Sequence, residues 1–161
     1  MIEIRQAEDS DFEDIWAIFH EVVQGGDTYL YVPGTTREQA YAIWMSKDAS
    51  TYVALLNGSV VGTYILRPNH VGLGSHVANA GYMVKSEANG KGIGRSLCKH
   101  SMEEARRQGF LAMQFNMVVS TNARAVALWQ KMGFAIVGTL PKAFRHTRMG
   151  LVDAYVMHRF L

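Results

Sequence analysis

One cysteine, Cys98, among 161 residues leaves no internal disulfide and no multi-cysteine zinc site, and that scarcity agrees with a reducing compartment. Long apolar runs are missing too: no stretch can cross a bilayer, and Met1-Ile2-Glu3-Ile4-Arg5 alternates like a strand instead of building the apolar core of a signal peptide. A cytoplasmic location with no membrane partner is the expectation. An excess of one charge sign is also lacking. The formal net charge is +2, with Lys and Arg scattered among acids, which argues against a nucleic-acid partner. The six histidines show no pair at metal-ligand spacing, so no metal is expected. What remains is small-molecule chemistry on one domain, residues 1–161, whose 48% hydrophobic and 19% charged residues suit a globular core.

Periodicity divides the chain into alternating elements. Residues 2–6 read as a strand, and Asp9 or Ser10 caps a helix that places Phe12, Ile15, Trp16 and Phe19 on one face. Residues 24–36 break that pattern, yet Tyr29, Leu30, Tyr31 and Val32 are unusually apolar for a solvent loop; they either pack over the core or line a pocket. Thr36 with Glu38-Gln39 opens a short second helix. Residues 52–56 and 60–66 flank Asn57-Gly58, a hairpin signal. A strand over 77–84, a helix over 92–108, a strand over 111–119, a helix over 123–132 and strands over 134–139 and 151–160 complete the order β-α-α-β-β-β-α-β-α-β-β. The last two strands are joined by a basic loop, 141–150. The fold class expected is α/β of the α+β type, with mostly antiparallel neighbours.

Asn89-Gly90-Lys91-Gly92-Ile93-Gly94-Arg95 lies between a strand and a helix. Glycines allow a tight turn and close backbone approach, a helix N-terminus offers unpaired N–H groups, and Lys91 and Arg95 add charge, so the stretch suits a phosphate. It is neither the dinucleotide fingerprint G-x-G-x-x-G nor the P-loop G-x-x-x-x-G-K-[ST].

It resembles instead the acyl-CoA loop of the GNAT superfamily of N-acetyltransferases, [RQ]-x-x-G-x-[GA], through Gly92 and Gly94; Asn89 stands where that family has Arg or Gln. Asn122, Ala125, Leu128, Gly133 and Phe134 match a second signature of the family, N-x-x-A-x-x-L-Y-x-x-x-G-F. The resemblance implies a mixed, mostly antiparallel seven-stranded sheet flanked by four helices, and acetyl-CoA as co-substrate. It implies that a pantetheine arm pairs with strand backbone at Met83 and Val84, that the pyrophosphate rests on Asn89, Gly90, Lys91, Gly92, Ile93, Gly94 and Arg95, and that Asn122 and Trp129 border the cofactor arm.

Trp129 takes the place of the motif tyrosine, the family's usual proton donor, and an indole N–H has no useful acidity. Either another group or water protonates the departing thiolate, or it leaves unprotonated, or activity is lost. Asn79 and Asn116, each within an otherwise apolar strand, are either hydrogen-bonded structural residues or residues that orient the substrate. The runs around them resemble a narrower group, the fungal and bacterial acetyltransferases of proline analogues such as azetidine-2-carboxylate, in which such asparagines act on the substrate. On that resemblance Asn79 and Asn116 are the candidate catalytic residues.

Glu87 and His76, at strand ends, read as surface residues before they read as bases, and Cys98, on an inward helix face, as packing before nucleophile. Direct transfer is therefore expected. Phe144, Arg145 and His146 from the basic loop, with Tyr29 and Tyr31, are the candidate substrate-binding residues, the cations for a carboxylate. The activity expected is acetylation of a small amino acid or analogue, as part of amino-acid detoxification or metabolism. Acetylation of a protein N-terminus or lysine, and a non-catalytic acyl-CoA sensor, are the alternatives. The final strands offer surface for a homodimer.

Overall fold

The computed structural model describes residues 1–161, and its element order is the one periodicity predicts. In chain order these are β1 (Ile2–Gln6), α1 (Phe12–Gly25), α2 (Arg37–Trp44), β2 (Ser50–Leu56), β3 (Ser59–Pro68) and β4 (Val77–Val84), then α3 (Ile93–Arg107), β5 (Ala112–Val119), α4 (Ala123–Lys131), β6 (Ala135–His146) and β7 (Gly150–Phe160). Seven strands form one sheet in the order β1-β2-β3-β4-β5-β7-β6, antiparallel throughout except for β4 with β5. No helix is long and apolar enough to cross a membrane.

Local chemistry sets most boundaries. Thr36 Oγ1 accepts from the Gln39 N–H at 3.2 Å while Gln39 Oε1 accepts from the Thr36 N–H at 2.9 Å, a reciprocal cap that starts α2. Asn57 and Gly58 turn the β2–β3 hairpin with φ of 53° and 80°, the left-handed pair that matches strand twist.

Alternation along the strands gives the sheet two apolar faces. One packs against α3 and α4 through Leu97, Cys98, Met113, Phe115 and Phe134; the other packs against α1 and α2 through Ile15, Phe19, Trp44, Ile65 and Met83. Trp44 is buried under the second face, where its Nε1–H donates to Thr63 Oγ1 at 2.9 Å and Thr63 in turn donates to the Tyr52 carbonyl at 2.8 Å.

The segment after Leu140 departs from expectation. The basic loop predicted over 141–150 is mostly strand: β6 runs on to His146, pairing Phe144 with Val152 and Arg145 with Leu151. A bulge between Leu140 and Phe144 absorbs Pro141, and Lys142 sits there at φ 50° with its N–H donated to Asp153 Oδ1 at 2.9 Å. A proline with no N–H to give is tolerated because β6 is the sheet's edge. The turn beyond it reaches across to α1, where the Thr147 N–H donates to the Gly26 carbonyl at 3.2 Å.

Candidate active site

The two central strands part company. β4 and β5 pair only from Val77 with Ala112 to Asn79 with Gln114, although β4 continues to Val84 and β5 to Val119. Beyond Asn79 the facing backbone groups of the two strands are unpaired with each other, which leaves polar edges that an extended ligand can join as an added strand. A cleft of about 1120 Å³ opens there, running from the α1–α2 loop past Met83 and Val84 to the glycine turn before α3.

At the α3 end, Gly90 and Gly92 both adopt φ of 81°, so the chain turns in a conformation that side chains disfavour. Gly92 caps α3 without a side-chain acceptor, which leaves the first-turn N–H groups free for an anion. Asn89, Gly90, Gly92, Ile93, Gly94 and Arg95 all border the cleft, whereas Lys91 points to solvent outside it. Arg124, on the first turn of α4, takes the place expected of Lys91: its guanidinium lies 3.7 Å from where a Cβ on Gly90 would stand. Such a contact joins residues far apart in sequence, and motif spacing gives no sign of it. This charge stands beside Asn89, where the family pattern has Arg or Gln.

Asn122 also borders the cleft, with its Oδ1 accepting the Ala125 N–H at 3.3 Å as the cap of α4. Trp129 packs its ring 4.9 Å from Tyr82 and 5.1 Å from Phe115. Tyr82 does not stand in for the missing motif tyrosine. Its hydroxyl is turned into the core, 2.7 Å from Ser101 Oγ, and burial raises it well above the ordinary phenol range. Cys98 is fully buried and burial pushes its thiol up to about 12, so the thiolate needed for an acyl-enzyme is suppressed. Glu87 and His76 lie outside the cleft; the carboxylates that border it are Glu21 and Asp27.

The other end is walled by the α1–α2 loop. Leu30 and Val32 face outward while Tyr29 and Tyr31 turn in and stack with centroids 5.8 Å apart. The Tyr29 hydroxyl approaches β4 so closely that a Cβ on Gly81 would lie 2.7 Å from it, which makes a side chain there incompatible with this packing. Burial raises both phenols, so they stay protonated donors at neutral pH.

Asn79 Nδ2 donates to the Gln114 carbonyl at 3.0 Å, and Asn116 sits in an amide chain, receiving from Gln114 Nε2 at 3.0 Å and donating to Asn69 Oδ1 at 2.7 Å. Asn79 is thereby held to β5 and Asn116 to the β3–β4 connection, and both border the cleft. Phe144 and Arg145, expected at the acceptor, do not border it: Phe144 is buried in strand pairing and Arg145 faces solvent. His146 lines a small polar hollow with Arg148 that adjoins the cleft, sharing Asp27, Thr28 and Asn122 with it, and its Nδ1 accepts the N–H groups of Arg148 and Met149 at 3.1 and 3.2 Å. The strand extension described above holds Phe144 and Arg145 in β6, off the cleft lining, and leaves His146 at its margin. A cation that does border the cleft is Arg67 of β3, which its position at a strand end gives no reason to single out.

The model of a family described as the acetyltransferase (GNAT) family matches residues 8–134. A solved GCN5-related N-acetyltransferase from Kribbella flavida is 46% identical and superposes with a TM-score of 0.95 over 99% of this chain and 98% of its own. The L-amino acid N-acetyltransferase AaaT of Escherichia coli is 30% identical over 98% of this chain and 97% of its own length. The N-acetyltransferase aca1 of Schizosaccharomyces pombe is 36% identical over 61% of this chain, a match that spans only 47% of that protein.

Proposed function

The chain belongs to the acetyltransferase (GNAT) family, and from that premise we propose that it transfers the acetyl group of acetyl-CoA to the amine of a small amino acid or amino-acid analogue. The observation that carries this reading is the parting of β4 from β5 between two chemically different ends, a glycine-built anion cradle at α3 and a small amide- and tyrosine-lined chamber under the α1–α2 loop. When bound, acetyl-CoA supplies an activated carbonyl and a thiol leaving group. The protein's part is to hold and orient: Gly92 to Arg95 with Arg124 for the pyrophosphate, the Met83 and Val84 backbone for the arm, and Asn79 and Asn116 for the acceptor. Full-length similarity to a protein named as an L-amino acid N-acetyltransferase supports the amino-acid class, and proline-like analogues are the finer candidates within it.

Direct transfer is favoured over an acyl-enzyme because Cys98 is enclosed by core. With Trp129 unable to give a proton and Tyr82 turned away, the thiolate leaves unprotonated or takes its proton from water, which a thiol of pKa about 8.5 tolerates near neutral pH.

Free-thiol release from acetyl-CoA, measured across amino acids, imino acids, their toxic analogues, polyamines and peptides, is expected to occur with members of the amino-acid group. Turnover on peptides alone would replace this acceptor class, and tight acetyl-CoA binding without thiol release on any amine would mark a sensor.

A homodimer accompanies this reading. β6 is a long edge strand whose first half, before the bulge at Pro141, exposes Ile136, Val137 and Leu140, an apolar open edge on which a second copy can dock. Sedimentation velocity is expected to show a species of twice 17.9 kDa; a monomer at tens of micromolar concentration would rule the assembly out.

A further inference from the structure

We propose that Arg67 and Asn79 together read the acceptor as a free α-amino acid, Arg67 taking the carboxylate and Asn79 Oδ1 the amine. The inference rests on the amino-acid acceptor proposed above and narrows it to substrates whose amine and carboxylate share one carbon.

Register places the pair. Arg67 on β3 is the cross-strand partner of Asn79 on β4, so their side chains leave the same face of the sheet with Cβ atoms roughly 5 Å apart. That face is the one covered by the α1–α2 loop, since Ile65, two residues before Arg67, and Met83, four after Asn79, both pack into the α1 and α2 cluster. A guanidinium and an amide oxygen carried on neighbouring positions of one face, both bordering the cleft, supply one group for each charged end of an α-amino acid, whose amine and carboxylate are separated by two bonds.

Neither member is committed to a charged partner: Arg67 interacts with the neutral hydroxyl of Tyr31, and Asn79 uses only its amide nitrogen. Arg67 takes part in none of the five ion pairs of the molecule, although it borders the cleft. Tyr31 and Tyr29 lie close enough that its charge offsets part of the upward push that burial gives their hydroxyls. Asn79 spends its Nδ2 on the Gln114 carbonyl, which fixes the amide with Oδ1 as an acceptor, and that oxygen has no protein donor. The remaining cations of the cleft are placed for other work: Arg95 and Arg124 flank the glycine turn, and Lys131 ends α4. Planar, forked and permanently aimed from a strand, a guanidinium suits two-point recognition of a carboxylate better than a lysine does.

A peptide N-terminus, a polyamine or an amino-acid amide presents the amine without the adjacent anion. Binding it would cover Arg67 and leave the charge without a partner, and sites built to hydrogen-bond a group reject analogues that lack it by large factors.

The test compares the L-amino acid turned over fastest by the wild-type protein with its own carboxamide, using the full chain and acetyl-CoA. The wild-type protein is expected to prefer the free acid by about a hundredfold or more in kcat/KM. In Arg67→Gln, KM for the acid is expected to rise at least fiftyfold with kcat changed only a few-fold, while kcat/KM for the carboxamide rises severalfold because no unpaired charge is then covered; Arg67→Lys should recover part of the preference. Unchanged acetyl-CoA affinity and melting temperature show that the variant is folded. Equal losses on acid and carboxamide, or an acid preference that survives in Arg67→Gln, would overturn the role of Arg67. Failure of the wild-type protein to acetylate any amino acid would instead sink the acceptor class itself, and this inference with it.

Discussion

Replacing Trp44 with alanine is expected to lower the unfolding free energy by about 4 kcal/mol and to raise KM for the acceptor at the same time. Trp44 is 1% exposed and packs beneath Tyr29, Phe19 and the β3 strand, so truncation removes a large apolar side chain from a rigid setting. Buried Trp or Phe to Ala changes cost about 3–5 kcal/mol, the spread reflecting how far a site collapses. Here collapse is opposed from two sides. The sheet below is tied through Thr63 to the Tyr52 carbonyl, and α2 above is tied by the Thr51 hydroxyl to the Trp44 carbonyl. The truncation also removes the donor to Thr63 Oγ1, although that hydroxyl keeps its own acceptor, so the polar loss is the smaller share, about 1 kcal/mol. For a domain of this size such a change lowers Tm by about 10 °C, which calorimetry reads directly. Trp44→Phe keeps most of the apolar volume and is expected to cost about 1–2 kcal/mol.

The effect on substrate follows from the same contacts. Tyr29 rests edge-on against Trp44 with centroids 6.3 Å apart, and its hydroxyl position on β4 depends on that support. A drop in Tm with acceptor KM unchanged would show that the α1–α2 loop is held by Thr147 and Tyr31 alone.

That loop also shows what a sequence conveys and what it withholds. The order of eleven strands and helices is legible because each carries its own period, cap or turn residue: Thr36 with Gln39, Asn57-Gly58, Asn122. Gly90 and Gly92 are legible as a tight turn, and both adopt φ of 81°, while Tyr29 and Tyr31 are legible as apolar residues out of place in a solvent loop. What is lost is whatever depends on register between distant strands. Arg67 looks like a surface charge at a strand end until pairing sets it opposite Asn79. Arg124 is an ordinary helix residue until α4 brings it over Gly90. The loop expected over 141–150 is where local signals mislead. Pro141 and a run of cations read as a loop, but the bulge at Lys142, bound to Asp153 eleven residues later, restores the strand, which takes Arg145 off the cleft lining and leaves His146 at its margin. Local signals set local structure; the acceptor chamber is assembled from non-local pairs.

Gly92→Asp is expected to weaken acetyl-CoA binding by about two orders of magnitude while leaving the fold nearly as stable as before. Gly92 caps α3 at φ 81°, and a Cβ built there meets nothing within 4 Å, so a side chain finds space. Aspartate is a favoured N-cap residue and one of the few side chains that visits the left-handed region, so strain of about 1 kcal/mol is set against a new cap of similar size. Binding loses on both counts. The new carboxylate accepts the first-turn N–H groups that a phosphate would use, and it stands beside the doubly charged pyrophosphate. At about 5 Å that repulsion is worth ~2 kcal/mol with the dielectric of water and ~7 kcal/mol at an effective value of 20. A tenfold change in affinity corresponds to about 1.4 kcal/mol, so even the weaker estimate exceeds tenfold. Gly92→Asn separates shape from charge: it is isosteric and neutral, and it should lose affinity several times less than the aspartate. Titration calorimetry with acetyl-CoA at fixed ionic strength measures all three proteins. Equal losses in the two variants would assign the turn a steric role only, and a Kd for Gly92→Asp within threefold of wild type would move the pyrophosphate away from the α3 terminus altogether.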